Sequence, residues 1–139
     1  MTQQALESLL RRAGLRPTQK RLEIARLLFD GPDKHVTAED VMDIARRKKV
    51  RVSQATVYNT LNQLCAAGLL KRIILDGSRT FFDTNTADHH HIFHEDDANL
   101  VDVPAAAINI LGLPELAKGE TLRSVEVMVR VGRSDNSRH

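Results

Sequence analysis

Between Ser53 and Asp83 the hydrophobic period changes once, and that change restricts the folds open to the chain. In SQATVYNTLNQLCAAG, Val57, Leu61, Leu64 and Cys65 form one helical stripe behind a Ser53 cap, and Gly68 stops the helix. LLKRIIL, DGSR and TFFD follow, predicting a strand, a tight Asp-Gly turn and a second strand. A helix leading directly into a hairpin needs other helices to cover its apolar stripe. Three are available upstream. The first runs from Gln4 to Ala13, with Leu6, Leu9, Leu10 and Ala13 on one face and Gly14 as its stop. Thr18 caps the second, which carries Leu22, Ala25, Leu28 and Phe29 up to Gly31-Pro32. Thr37-Ala38-Glu39-Asp40 opens the third as a capping box, with Asp where Glu or Gln is usual, and turns Val41, Ile44 and Ala45 inward. Four short helices and a hairpin predict a helix-turn-helix with a wing over residues 1–84.

Beyond Asp83 the pattern is a smaller mixture of helix and strand. Ile92-Phe93 and Leu100-Val101 are short apolar pieces broken by acids. Pro104 predicts the start of a short helix through Ala107, Ile108 and Leu111, ended by Gly112. TLRSVEVMVRVG alternates Val125, Val127, Val129 and Val131 with Glu126, Met128 and Arg130, a half-buried strand whose apolar face suits a dimer interface. The final SDNSRH is expected to fray. The fold class is therefore α+β. An N-terminal winged helix-turn-helix domain (1–84) is followed by a hinge (85–91) and a small C-terminal α/β dimerisation domain (92–139).

Charge separates the same halves. The whole chain of 139 residues is only +2, but residues 1–83 hold 15 Lys/Arg against 9 Asp/Glu, while residues 84–139 hold 5 against 9. The first half suits a polyanion and the second suits cations. No apolar run approaches the roughly 20 residues of a membrane span. MTQQALESLLRRAG lacks the pattern of a secretory signal, so a cytoplasmic protein with no membrane partner is expected. The single Cys65 excludes an internal disulfide and a cysteine-rich zinc site.

The helix after Ser53 leaves Gln54, Ala55, Thr56, Tyr58, Asn59 and Asn62 off its core stripe. Amides and hydroxyls of this kind pair with base edges when a helix N-terminus enters the major groove. Arg16, Lys20, Arg21 and Lys71 are the cations expected at phosphates. The plainer alternative is an ordinary helical domain with a solvated polar face.

ADHHHIFHEDDANLVDV (87–103) holds four of the six histidines and five carboxylates. On a strand, His89 and His91 share one face and His90 takes the other. Two imidazoles at i, i+2 chelate one ion, with Asp83, Asp102 and His35 as natural further ligands. Such nitrogen and oxygen donors suit Zn, Fe, Mn or Ni. Imidazole is equally a haem axial ligand. The alternative is a solvated polar loop, and His139 carries no weight.

RPTQKRLEIARLL, KHVTAEDV, SQATVYNTLNQLCAAGLL and DHHHIFH occur in the order seen in ferric uptake regulators, a resemblance covering about residues 4–131. It implies a homodimer, with a tetramer as the alternative, that binds double-stranded operator DNA through the winged helix. It implies a metal site at the hinge made of His35, Asp83, His89, His91 and Asp102, which sets DNA affinity. Asp83 and Asp102 stand where the family usually has Glu. His94 and Asp97 occupy the positions of the usual CxxC, and the second CxxC is absent, so a four-cysteine structural zinc is ruled out. His90 stands where Asp is frequent.

The cysteine-free HHH triplet resembles the iron response regulator branch of rhizobia and their relatives, which senses haem. That branch implies haem binding at His89, His90 and His91, although the Cys-Pro haem motif of some members is missing, since Ala66 follows Cys65. The expected mechanism is that the haem-free dimer binds an AT-rich, partly palindromic operator in iron-dependent genes and loses DNA affinity when haem binds. The alternative is a repressor activated directly by Fe, Mn or Zn at the hinge. An enzyme is not expected, because no further acid/base group stands at a suggestive spacing and the basic winged helix would have no use. A haem carrier without DNA binding leaves the Tyr58 helix unexplained.

Overall fold

The computed structural model describes residues 1–76 and 79–134. The chain divides into two compact units between Thr86 and Ala87.

The first unit contains α1 (Gln3–Arg12), α2 (Gln19–Phe29), β1 (His35–Val36), α3 (Ala38–Arg47), α4 (Gln54–Ala66), β2 (Lys71–Asp76) and β3 (Arg79–Asp83). Each helix begins at a hydroxyl that satisfies one of its orphan backbone donors. Thr2 accepts from the Ala5 amide, Thr18 from Arg21, Thr37 from Asp40 and Ser53 from Thr56. The Asp40 side chain returns a bond to the Thr37 amide, which completes the capping box. The Ser53 hydroxyl also lies 2.8 Å from the Thr56 hydroxyl. Ser53→Ala is expected to destabilise the first unit by about 1 kcal/mol, read as a lower midpoint in chemical denaturation.

Three of the four helices, α1, α3 and α4, end by one scheme. Gly14 after α1 and Gly68 after α4 adopt positive φ and close paired backbone bonds onto the last turn. The end of α3 closes in the same way, Lys49 N–H to Arg46 O and Val50 N–H to Ala45 O, but the positive-φ residue there is Lys49, at 58°. The helices bury Leu6, Leu10, Ile24, Leu28, Val41, Val57, Leu61 and Leu64 in one core, with Phe82 of the sheet against it.

The sheet has the order β1-β3-β2 and is antiparallel throughout. The hairpin of β2 and β3 agrees with the sequence reading, although the expected turn at Gly77-Ser78 lies outside the described residues. Strand β1 was not expected, since two residues are too few to show a period. Its pairing sets His35 opposite Asp83.

The second unit contains β4 (His89–His94), β5 (Asn99–Pro104), a 3-10 turn at Ala105–Ala107 and β6 (Met128–Val131). Its sheet runs β5-β4-β6, with β5 antiparallel and β6 parallel to the central β4. The chain divides within the expected hinge over 85–91, and the histidine triplet at its end opens the central strand of this sheet. Two expectations are corrected here. The helix expected from Pro104 to Gly112 reduces to the 3-10 turn, with Ile108 already extended. Leu111, Leu113, Leu116 and Leu122 are all at least half exposed, so an apolar helix stripe here has nothing to pack on. The strand expected over 121–132 begins only at Met128, where β4 offers partners from His91 to His94. Of the terminal SDNSRH expected to fray, residues 135–139 lie outside the described residues.

Candidate functional site

Strand alternation puts the His89 and His91 rings on one side of β4, with centroids 4.5 Å apart. The antiparallel register sets Asp102 of β5 directly opposite His91. One carboxylate oxygen, Asp102 Oδ1, then lies 3.4 Å from His89 Nε2 and 3.3 Å from His91 Nε2. Two ligands about 2.1 Å from a tetrahedral metal ion sit about 3.4 Å from each other, so this spacing fits one ion among three donors. The two histidines are buried, whereas the Asp102 side chain is 43 % exposed and leaves that side open.

His89 Nδ1 lies 2.6 Å from the Ala87 carbonyl, which only accepts, so Nδ1 carries the proton. In a neutral ring, Nε2 then presents a lone pair toward the Asp102 carboxylate. That contact is favourable only with a cation there, either a second proton on the ring or a metal ion. A backbone carbonyl fixing the distal nitrogen is also the usual support of a ligating histidine.

His90 behaves differently. Its Nδ1 accepts the Val127 backbone N–H at 3.0 Å, and the neighbouring His91 N–H donates to Val127 O at 3.1 Å. His90 is thus an anchor for the chain entering β6, and it does not join the converging set. His94, at the end of β4, also stays outside it.

In the first unit, Asp83 is 1 % exposed at the end of the central strand, with His35 and Lys71 as its cross-strand neighbours. Its Oδ1 accepts the Asn85 N–H at 2.9 Å. The His35 ring meets the edge of Phe81 at 6.3 Å.

On α4, Gln54, Ala55, Tyr58 and Asn59 are exposed, while Val57, Thr60, Leu61 and Leu64 face the core. The Ser53 and Thr56 hydroxyls are taken up by the cap. The Gln54 and Asn59 amides have no intramolecular partner among the described residues. Asn62 and Gln63, one turn further on, are held instead by Arg72 of β2 (2.6 Å) and Arg21 of α2 (3.1 Å). Arg21 also donates to the Arg16 carbonyl, so its guanidinium braces α2 against α4. Tyr58 OH donates to Glu39 Oε1 at 3.4 Å, and the Glu39 charge, with some burial, raises the phenol above its usual pKa. Lys20 Nζ donates to the Arg51 carbonyl at 2.9 Å, two residues before the Ser53 cap. Arg16 is exposed. Lys71 is half-buried at the sheet end that carries Asp83.

Sequence reasoning missed Arg51 as a member of this basic surface and Glu39 as the partner of Tyr58. The position of Arg51 just before a cap was the available signal for the first. The second depends on tertiary packing. Cys65 is a free, half-buried thiol, and burial raises its pKa, which keeps it a neutral thiol. Among the described residues no helix is long and apolar enough to cross a membrane.

Comparison with known proteins agrees with this architecture. A sequence profile described as the ferric uptake regulator family matches residues 12–128. The ferric uptake regulation protein of Pseudomonas fluorescens is 34% identical over 103 residues, 73% of this chain and 84% of that one. A peroxide-responsive repressor from Staphylococcus epidermidis is 36% identical over 93 residues, 67% of this chain and 61% of that one. Among solved structures, the ferric uptake regulator from Pseudomonas aeruginosa with manganese superposes with a TM-score of 0.74 at 27% identity, covering 93% of this chain and 98% of that one. With the winged helix and the paired sheets in place, these matches establish that the chain belongs to the ferric uptake regulator family and is a metal-responsive transcription regulator, not an enzyme.

Proposed function

We propose that this dimeric DNA-binding regulator is activated by a divalent metal, Fe, Mn or Zn, held by His89, His91 and Asp102. The observation that carries the reading is the convergence of two imidazole Nε2 atoms on one carboxylate oxygen. We assign Asp83 and His35 to complete the shell, because Asp83 lies only three residues before the boundary at Thr86. Ligands drawn from both sides of that boundary would tie the recognition helix to the dimer-forming unit. A dimer reads two half-sites only at a fixed separation, so restricting the two α4 helices raises operator affinity. On the DNA, the first turns of α4 read base edges through Gln54, Tyr58 and Asn59, while Arg16 and Lys20 meet phosphates. The operator is expected to be AT-rich and partly palindromic, and the protein cytoplasmic.

Haem sensing is the second reading. It is favoured by the unbroken His89-His90-His91 triplet in a chain with one cysteine. Through His90 the iron would take Nε2, so the ring proton would move to Nδ1 and the bond from the Val127 amide would be lost.

The test is operator binding by metal-defined protein, with the operator selected from a random duplex pool. Mn(II) or Fe(II) should tighten binding roughly 10- to 100-fold, the usual range of an allosteric coupling, and haemin should leave it unchanged. Release of DNA by haemin with metal neutral would replace the metal reading by the haem one. If neither ligand changes operator affinity, both readings fail.

A further inference from the structure

Lys49 occupies a backbone conformation that its two counterparts in this chain give to glycine. After α1 and α4 the helix-closing residue is Gly14 or Gly68, and after α3 it is Lys49 with φ 58°. A side chain at positive φ is disfavoured by contact between Cβ and the backbone, and lysine has no short polar group to relieve it. Local folding alone would place glycine there. Strain that persists at an exposed position points to a use for the side chain.

The surroundings indicate which use. Lys49 and Arg51 are both exposed, and neither forms an ion pair or side-chain hydrogen bond among the described residues. In the basic run just before them, Arg46 is already paired with Asp43 at 2.6 Å. The Arg51 carbonyl receives Lys20 Nζ, which gathers a third cation at the turn leading into the Ser53 cap. This turn immediately precedes the exposed first turn of α4.

We propose that Lys49 and Arg51, beside Lys20, form a phosphate clamp that docks the recognition helix on the DNA backbone. Its partner is the sugar-phosphate chain, independent of sequence. The inference rests on the DNA-binding role of α4 and adds residues that contribute affinity without base recognition. It also predicts opposite effects on stability and binding, which a purely structural lysine would not produce.

The experiment compares the full-length wild type with Lys49→Gly and with Lys49→Gly/Arg51→Gln. Each protein is titrated onto a duplex of about 30 base pairs of arbitrary sequence across a salt series, because phosphate contacts are sequence-independent. Lys49→Gly should raise Tm by roughly 4 °C, since glycine relieves the positive φ. It should also weaken DNA binding, and the slope of log K against log salt should become shallower by about 0.9 per subunit. The double variant should lose about twice that slope. Unchanged slopes with a raised Tm would overturn the clamp and leave the DNA-binding reading intact. A lowered Tm would remove the strain argument and overturn the clamp with it. If the wild type shows no salt-dependent binding, the DNA-binding role of α4 fails first and the clamp goes with it.

Discussion

His91→Ala is expected to weaken Mn(II) or Zn(II) binding by about a hundredfold or more, roughly 2.7 kcal/mol. The side chain supplies one of the three donors that converge in the second unit, and the antiparallel register holds it directly across from Asp102. Removal leaves only His89 Nε2 and Asp102 Oδ1 there, too few to hold an ion without the assigned Asp83 and His35. Isothermal titration of the metal-free protein gives the affinity. His90→Ala is the matched control. Its Nδ1 is engaged by the Val127 amide and its ring lies on the other face of β4, so metal affinity should fall by less than about tenfold. The two variants also separate the readings of the triplet. Equal losses in both would mean that the site uses all three histidines. Wild-type metal affinity in His91→Ala would remove the site altogether. A haemin spectrum lost in His90→Ala but kept in His91→Ala would favour haem.

The residues that made the winged helix legible are local ones. Thr18, Thr37 and Ser53 cap helices through bonds reaching only three residues along the chain, and the stripes of α1 to α4 repeat within single helices. A linear pattern carries such information well. The central strand of the second unit was harder. The i, i+2 alternation of His89 and His91 was visible, but a run of polar side chains does not advertise that all three are buried. Residues 105–127 were misread for a related reason. Ile108 and Leu111 have helical spacing, yet Leu111 is 91 % exposed, and apolar spacing specifies a helix only when a surface exists to receive it. A family that works as dimers supplies such a surface from a second chain. Contacts far apart in sequence were invisible for a different reason. Nothing in the sequence links Glu39 to Tyr58 or Arg72 to Asn62, and these bonds decide which polar groups of α4 remain free to read DNA.

The role assigned to Asp83 leads to the second large effect, on stability. Leu61 is fully buried where α4 meets the helical core, so Leu61→Ala should destabilise the first unit by about 3 kcal/mol through lost burial and the cavity left behind. The chain provides its own probe. Tyr58 is the only tyrosine and there is no tryptophan, so the tyrosine signal reports the first unit alone. If the metal is held by His89, His91 and Asp102 only, it stabilises the second unit and the Tyr58 transition of Leu61→Ala should not respond. If Asp83 of the first unit is also a ligand, binding requires β3 to be folded, and linkage carries the binding energy into that transition. At a free metal concentration of about 100 Kd the gain is roughly 2.7 kcal/mol, enough to offset nearly all of the damage. The expected result is therefore a low Tyr58 midpoint in metal-free Leu61→Ala, restored close to wild type by Mn(II) or Zn(II). Adding Asp83→Ala to Leu61→Ala should abolish the restoration while His89, His91 and Asp102 still bind metal weakly. A midpoint that ignores metal in Leu61→Ala removes Asp83 from the shell. Activation would then have to reach α4 without a ligand from its own unit.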